Sequence, residues 1–515
     1  MQTFTRDQVK EHNKEESLYI VVDSSVYDLT DFVDAHPGGA AVLLNAEIAG
    51  QDATDQFYNL HRHSVIQKYE SLKIGSIQGE KPKIRNMVPG DLSHVPYGEP
   101  SWLLKEFDSP YFNDGHRKFQ RAVRKFIEEE IKPIALECED SGERPPAELF
   151  KLMGKPGIEM NAMRLGPGKH LHGRVLVGDI KGEDYSYIHE MIVNQELARP
   201  GPARGFGDGL NSGMSIGLPP VINFCKNEEL RQRVIKEVFS GEKNICLAIT
   251  EAFAGSDVRG IQTTAKLSAD GSHYIVNGSK KWITNGNFSY YFTTAVKTGE
   301  NQYSVLLIPR IEGVETKLIK TAYSTTAGTA YVTFDNVKIP ADHLLGVEGR
   351  GLPVILSNFS HERWMMCCSS IRMQRNIYEE CMKWANQRKV FGKLLIEEPV
   401  IRQKLGRMIT LCESSQSWLE QVSDQMDKMN YDEQNKYLNG RIALLKMFAT
   451  RCEGEISDLA VSIFGGRALT KGGMGNRVEN HMRTFGFNKV LGGEEGILAD
   501  LGVKQAWKNM PQEKL

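Results

Sequence analysis

At 515 residues the chain exceeds what one ordinary core organises, so roughly two to four domains and a large apolar interior are expected. Its 63 Lys and Arg against 65 Asp and Glu leave a formal charge of -2, which offers no general attraction to nucleic acid or to an anionic membrane. Eight cysteines with no Cys-x-x-Cys pair point to a reducing compartment rather than a disulfide scaffold. Met1 to Ser17 has neither the apolar stretch of a signal peptide nor the Arg-rich bias of a mitochondrial presequence, and no run of about 18 apolar residues occurs. A soluble, non-secreted protein is expected, cytoplasmic or peroxisomal; only the final pair of Glu513-Lys514-Leu515 matches a peroxisomal ending.

Residues 1–78 read as a small α+β domain: a strand at Leu18–Val22, a second apolar run at Val26–Leu29, and helical stretches at Ala40–Leu44 and Val65–Leu72. Residues 79–105, with Pro82, Pro89, Pro96 and Pro100 among Gly, Ser and charges, favour an extended linker. From 106 to 244 helical patterns dominate, the first carrying Phe119, Val123, Phe126, Ile127 and Ile131 at helical spacing until Pro133. From 245 to 350 the composition turns β-rich, with runs at Lys266–Leu267, Tyr274–Val276, Phe292–Val296, Tyr303–Ile308 and Tyr331–Phe334. From 351 to 515 long proline-free helical periodicity returns, at Met365–Trp384, Val400–Met429 and Tyr437–Ile463.

The N-terminal window carries Tyr27-Asp28-Leu29-Thr30-Asp31-Phe32, His36-Pro37-Gly38-Gly39, Gly50 to Phe57 and Leu72-Lys73-Ile74-Gly75. It resembles cytochrome b5 over nearly all of residues 1–77. That resemblance implies haem b held by two histidines, a saturated iron suited to electron transfer. His36 supplies one ligand. For the second, the family spacing favours His61, four residues after Phe57 and fourteen before Gly75, with His63 as the alternative.

Further along, Leu247 to Val258 and Lys281-Trp282-Ile283-Thr284-Asn285-Gly286 resemble the flavin-contact signatures of acyl-CoA dehydrogenases. The likeness extends over about residues 106–510. It implies a helical N-terminal domain, a middle β-barrel-like domain and a C-terminal four-helix bundle, with FAD as cofactor. It assigns Trp282 to packing on the flavin ring, Thr284 to its N5, and Thr250 and Ser256 to flavin polar groups, Ser256 also facing substrate. Arg388 to Lys393, including Phe391, and Ile463-Phe464-Gly465-Gly466 correspond to segments that meet the FAD pyrophosphate and adenosine of a neighbouring subunit, implying a homodimer or homotetramer. Two departures stand out: Ser462 where the family usually has Gln, and Ala252 in place of a common Pro.

The implied reaction is α,β-dehydrogenation of an acyl-CoA, which needs a desolvated carboxylate over the α-carbon. Alignment of Met482-Arg483 and of Ile497-Leu498 with the family pattern puts the usual late base position on Gly492. Glu495 reaches that position only with a three-residue insertion and is the runner-up. Glu362, before Arg363 on an earlier helix, occupies the base position of the long-chain and isovaleryl-type branches. Arg363 is then a substrate-side residue, and the Gly492 backbone N–H can still donate to the thioester oxygen. The electron acceptor is open between the fused haem, a separate electron-transfer flavoprotein and O2, the last making the protein an oxidase. A non-catalytic haem and flavin scaffold is the remaining alternative.

Overall fold

The computed structural model describes residues 2–84, 87–200, 204–324 and 326–511; Lys514 and Leu515 lie outside them. The chain divides into two compact units. One comprises residues 1–88, 380–406 and 460–479; the other holds 89–379, 407–459 and 480–515.

In the first unit five strands, β1 (Gln2–Phe4), β2 (Asn13–Lys14), β3 (Ser17–Val22), β4 (Ser25–Asp28) and β5 (Lys73–Ile77), form a sheet in the order β1-β5-β4-β3-β2. The period-2 alternation of β3 sends Leu18, Ile20 and Val22 into one cluster with Tyr27, Leu29 and Val33, while Val21 faces a second with Phe4, Val26 and Ile77. Short helices at Ala40–Leu43, Thr54–Tyr58 and His63–Lys68 close over the first cluster. The strand pairing of β1 with β5 and the helix Thr54–Tyr58 left no periodic signal, because each spans only three to five residues.

The second unit begins with packed chain, although the proline content of residues 79–105 favours an extended linker. From Pro89 onward Trp102 and Leu103 join the helical core, and the Glu99 carboxylate is fully enclosed. Arg124 meets it bidentately at 2.7 and 3.0 Å and Arg372 at 2.8 Å, which drives its pKa far down against the cost of burial. One carboxylate shared between guanidinium groups is an interaction no composition rule reports.

The helix starting at Asp114 also departs from expectation, since Pro133 does not end it. A π-turn at Ile127–Ile131 opens the hydrogen-bond ladder, and Lys132–Ser141 resumes with the proline in its first turn, where its missing N–H is tolerated. A second π-turn, Asp208–Ser212, interrupts the helices between Arg204 and Gly217. Here Gly205, Gly209, Gly213 and Gly217 recur every fourth residue. A Cβ on any of them would lie 1.8–2.7 Å from Ser324, the Thr326 carbonyl, Asn285 or Cys246, so the helical backbone rests directly on the β domain.

Between the helices a hairpin, β6 (Val175–Leu176) and β7 (Ile180–Lys181), precedes the main sheet. That sheet comprises β8 (Ile245–Ala248), β9 (Thr264–Leu267), β10 (His273–Ile283), β11 (Tyr291–Gly299), β12 (Gln302–Pro309), β13 (Val314–Leu318), β14 (Ala330–Pro340) and β15 (Leu344–Leu345). The order is β13-β14-β10-β9-β11-β12-β15, with β8 parallel to β11. Both faces are covered: Phe292 and Val296 of β11 pack inside the sheet with Leu306, Ile308 and Phe334, whereas Tyr291 and Ala295 join the helical core. The long helices Phe359–Gln387, Pro399–Lys428 and Asn439–Phe464 follow. No helix among the described residues is long and apolar enough to cross a membrane.

Candidate active site

Helical periodicity of Phe359–Gln387 brings Glu362, Met365, Met366, Ser369 and Met373 onto one face, and this face walls a cavity of about 80 Å³. Thr284, at the end of β10, lines the same cavity, as do Ile131, Arg164, Asp208 and Leu210. Glu362 is buried, and burial pushes its carboxyl up to about 7 despite the nearby positive charges of Arg363, Lys446 and His361. Neither Arg363 nor Arg375 neutralises it by direct pairing. Arg363 donates from Nε to the Gly492 carbonyl at 2.8 Å, while Arg375 bonds Glu413 at 2.7 Å and the Tyr97 carbonyl at 3.0 Å. The preceding residue, His361, anchors the helix through Nε2, 2.9 Å from both oxygens of fully buried Glu190. Gly492 adopts φ +65°, and a Cβ there would lie 2.8 Å from Met366 Sδ and 3.8 Å from Glu362 Oε1. The glycine thus leaves the carboxylate room on the side where a second carboxylate would otherwise crowd it.

The two sequence segments with flavin-type signatures meet through one ladder bond, Lys281 N–H to the Thr250 carbonyl at 2.8 Å. A bulge between Lys280 and Ile283 then throws Trp282 out of register at φ +66°, a strained conformation for so bulky a residue, and leaves its ring 52% exposed. Lys280, fully buried, fixes the loop from Glu251 by donating to that carboxylate at 2.8 Å and to the Ile249 carbonyl at 2.9 Å. Glu251 also accepts from Thr263 and Gln262, so the exposed stretch carrying Ser256 projects from a rigid base.

In the N-terminal unit His36 and His61 face each other with ring centres 6.1 Å apart. Two metal–nitrogen bonds of about 2 Å each, with ~1 Å from each nitrogen to its ring centre, fill that gap, so the pair fits an iron held between them. His36 Nδ1 lies 3.3 Å from the Gly39 carbonyl, an arrangement that leaves Nε2 available to a metal. A Cβ at Gly38 would strike His36 Cε1 at 2.7 Å. Burial, and secondarily the charge of His36, lowers the pKa of His61, favouring the neutral imidazole that metals bind. His63 is engaged elsewhere: its Nδ1 lies 2.8 Å from the Tyr58 hydroxyl.

These sites coincide with recognisable families. The family model "Cytochrome b5-like Heme/Steroid binding domain" matches residues 5–78, and the N-terminal, middle and C-terminal domain models of acyl-CoA dehydrogenase match 113–242, 246–337 and 349–506. The chain is 35% identical over 432 residues to the acyl-CoA dehydrogenase apdG of Emericella nidulans, covering 82% of this chain and 98% of that protein. The chain belongs to the acyl-CoA dehydrogenase family. The enzyme is also 27% identical over 379 residues to mitochondrial isovaleryl-CoA dehydrogenase of rice, Oryza sativa subsp. japonica, covering 71% of this chain and 85% of that protein. A probable acyl-CoA dehydrogenase from Mycobacterium abscessus superposes with a TM-score of 0.68 at 25% identity, covering 77% of this chain and all of that one. Butyryl-CoA dehydrogenase from Megasphaera elsdenii, at 0.67, 21% identity and coverage of 78% and 100%, shares the fold.

Other candidate residues of the dehydrogenase separate clearly. Glu495 does not line the cavity; it accepts from Thr450 Oγ1 at 2.7 Å and lies 3.5 Å from Arg451, as a helix-terminal carboxylate. Arg388, Phe391, Gly465 and Gly466 belong to the N-terminal unit's share of the C-terminal region. Phe391 is 95% exposed at φ +50°, Gly465 and Gly466 are exposed, and the unusual Ser462 accepts a hydrogen bond from Lys404. Sequence reasoning gave no role to Asn285. Its buried amide donates to the Asp208, Gly209 and Ala327 carbonyls and accepts from Gly213 N–H at 2.7 Å, tying the glycine-striped helix to the strand end that carries Thr284. The Asn285-Gly286 pair immediately after the Trp-Ile-Thr run was the available signal, since such a pair favours a turn with positive φ, and Asn285 indeed adopts φ +63°.

Proposed function

We propose that this enzyme oxidises the Cα–Cβ bond of an acyl-CoA thioester with FAD and passes the electrons to haem b in its own N-terminal domain. The observation that carries the reading is the cavity shared by Glu362 and Thr284, with a carboxyl poised near neutrality on one wall and a hydroxyl on another. A carboxylate of ordinary basicity is a poor match for a thioester α-proton; raising its pKa to about 7 brings it into the range where general bases work best. FAD, when bound, supplies the acceptor for the β-hydrogen as hydride.

Glu362 takes the α-proton. With FAD bound, Thr284 would offer its hydroxyl to the flavin N5, Trp282 would cover the ring, and Thr250 and Ser256 would hold its polar groups, Ser256 also facing substrate. The Gly492 N–H donates to the thioester oxygen, and Arg363 holds that residue through its carbonyl while bordering the substrate. The apolar wall of methionines keeps the surroundings of the carboxylate poor in competing hydrogen-bond partners.

Arg388, Phe391, Gly465 and Gly466 would hold the FAD pyrophosphate and adenosine of a second copy in a homodimer or homotetramer. An aromatic ring left 95% exposed in one chain supports that contact. His36 and His61 would hold the haem iron, which would supply a one-electron acceptor. The test is anaerobic titration of the purified holoprotein with acyl-CoAs of graded chain length, following flavin and Soret absorbance together. Bleaching of both bands supports the reading; flavin bleaching with a Soret band that never responds defeats the transfer to haem. Peroxide formation in air at the rate of substrate loss makes the protein an oxidase instead.

A further inference from the structure

We infer that Arg62 latches the cytochrome b5-like domain onto Glu380 and the Gly473–Met474 turn while Asp55, Asn59 and His61 hold the neighbouring turn of Arg388, and that this docked arrangement sets the rate at which electrons enter the haem. The second half rests on the proposed flavin-to-haem transfer; the first half does not.

The contact lies within the N-terminal compact unit and is built from the segment that carries His61. The Arg62 guanidinium pairs with the Glu380 carboxylate, donates to the Met474 carbonyl, and places Nε 3.4 Å from the Gly473 carbonyl. Glu380 is buried and accepts from Arg477 at 2.7 Å as well. Burial alone would raise its pKa, but Arg477, Arg62 and Lys383 hold the carboxyl down at about 2, so it stays charged throughout the physiological range. On either side of Arg388, Gln387 Nε2 reaches the His61 carbonyl at 3.4 Å, and Lys389 bonds Asn59 Oδ1 at 3.3 Å through its N–H and Asp55 at 2.7 Å through Nζ. Three residues of the segment 55–62, Asp55, Asn59 and His61, therefore grip the two residues that bracket the proposed phosphate-binding arginine.

An ion pair at a module boundary is often mere adhesion, and the exposed Lys389–Asp55 pair alone contributes little. Arg62 differs because its planar fork spends donors on a buried carboxylate and a backbone carbonyl at once, which fixes orientation as well as proximity. The named contacts are polar rather than an apolar plug. Polar, limited contacts are typical of transient redox partners, which must meet reproducibly and still release.

The electron count constrains the step. Each acyl-CoA oxidised yields two electrons and two protons, one proton to Glu362 and the other to solvent as the flavin is reoxidised. Ferric haem accepts one electron, and the second follows only after a soluble one-electron acceptor such as ferricyanide has reoxidised the ferrous iron.

The test uses full-length holoprotein carrying Arg62→Ala or Asp55→Lys. Two signals are read: amide hydrogen exchange at residues 387–390 in the resting enzyme, and the separate rates of flavin bleaching and Soret reduction after anaerobic mixing with acyl-CoA. Arg62→Ala should speed exchange at least tenfold and slow Soret reduction at least tenfold, with flavin bleaching within twofold of wild type. Asp55→Lys, at an exposed position, should shift both signals severalfold in the same direction and carries the test if Arg62→Ala loses its Soret band. Wild-type exchange and Soret rates in both variants overturn the latch. Faster exchange in variants of an enzyme whose wild-type haem is never reduced by substrate upholds the docking and overturns the electron-transfer half.

Discussion

Glu362→Gln removes the proposed base while preserving shape, and two independent quantities follow from the burial of this one carboxyl. Its pKa rises from 4.5 to about 7, roughly 2.5 units, which corresponds to about 3 kcal/mol. Because the folded chain holds this proton more tightly than the unfolded chain, the group's stabilising contribution is full below pH 4.5 and is lost as pH climbs through 7. Wild type should therefore lose up to about 3 kcal/mol relative to Glu362→Gln between pH 5 and pH 8, measured by denaturant unfolding at the two pH values. In catalysis, anaerobic single-turnover flavin bleaching should fall by about 10²–10⁴-fold in the variant. The wild-type rate should drop about tenfold per pH unit below 7, as the base becomes protonated. A variant that bleaches flavin within about threefold of wild type, or a stability difference that does not change with pH, refutes the assignment.

His61→Ala should abolish the low-spin Soret spectrum of reconstituted protein, whereas His63→Ala should retain it, because His63 turns Nδ1 to the Tyr58 hydroxyl rather than toward His36. Gly492→Ala should cost about 1–3 kcal/mol and slow turnover, since its Cβ meets Met366 Sδ at 2.8 Å at a positive φ; thermal unfolding and steady-state rates report both. Asn285→Ala strips a buried amide of four partners and should destabilise by about 3 kcal/mol or more, with faster hydrogen exchange across residues 205–217. Glu495→Gln should stay active within about twofold and change stability by less than about 1 kcal/mol, because the amide oxygen still accepts from Thr450 and only the exposed pairing with Arg451 is lost; the same assays measure both.

Much of this was legible because the signals are local. The alternation of Leu18–Val22 and the long apolar periodicities after residue 351 depend on neighbours in sequence, and the strands and helices appear where they place them. The order of helical, β-rich and helical stretches was readable for the same reason. What escaped depends on distant partners. A π-turn let a helix continue past Pro133, and Glu99 was packed by arginines up to 273 residues away. The four-residue glycine repeat at 205–217 is a packing surface whose meaning appears only with the β domain against it. At the site, Glu362 and Gly492 were readable as a complementary pair, but the closeness of Gly492 to that carboxylate comes from folding alone.

The Glu99 arrangement bears on where the fusion could be severed. A truncated gene beginning at the dehydrogenase homology border near residue 113 would strip Arg372 of its bonded carboxylate and Arg124 of one of two, leaving buried cations short of counter-ions. Such a product should be recovered largely as insoluble material, whereas one beginning at residue 87 keeps Glu99 with its arginines. The stretch after the cytochrome b5-like domain is thus a structural part of the enzyme, and domain shuffling could exchange that domain only by cutting upstream of Pro89.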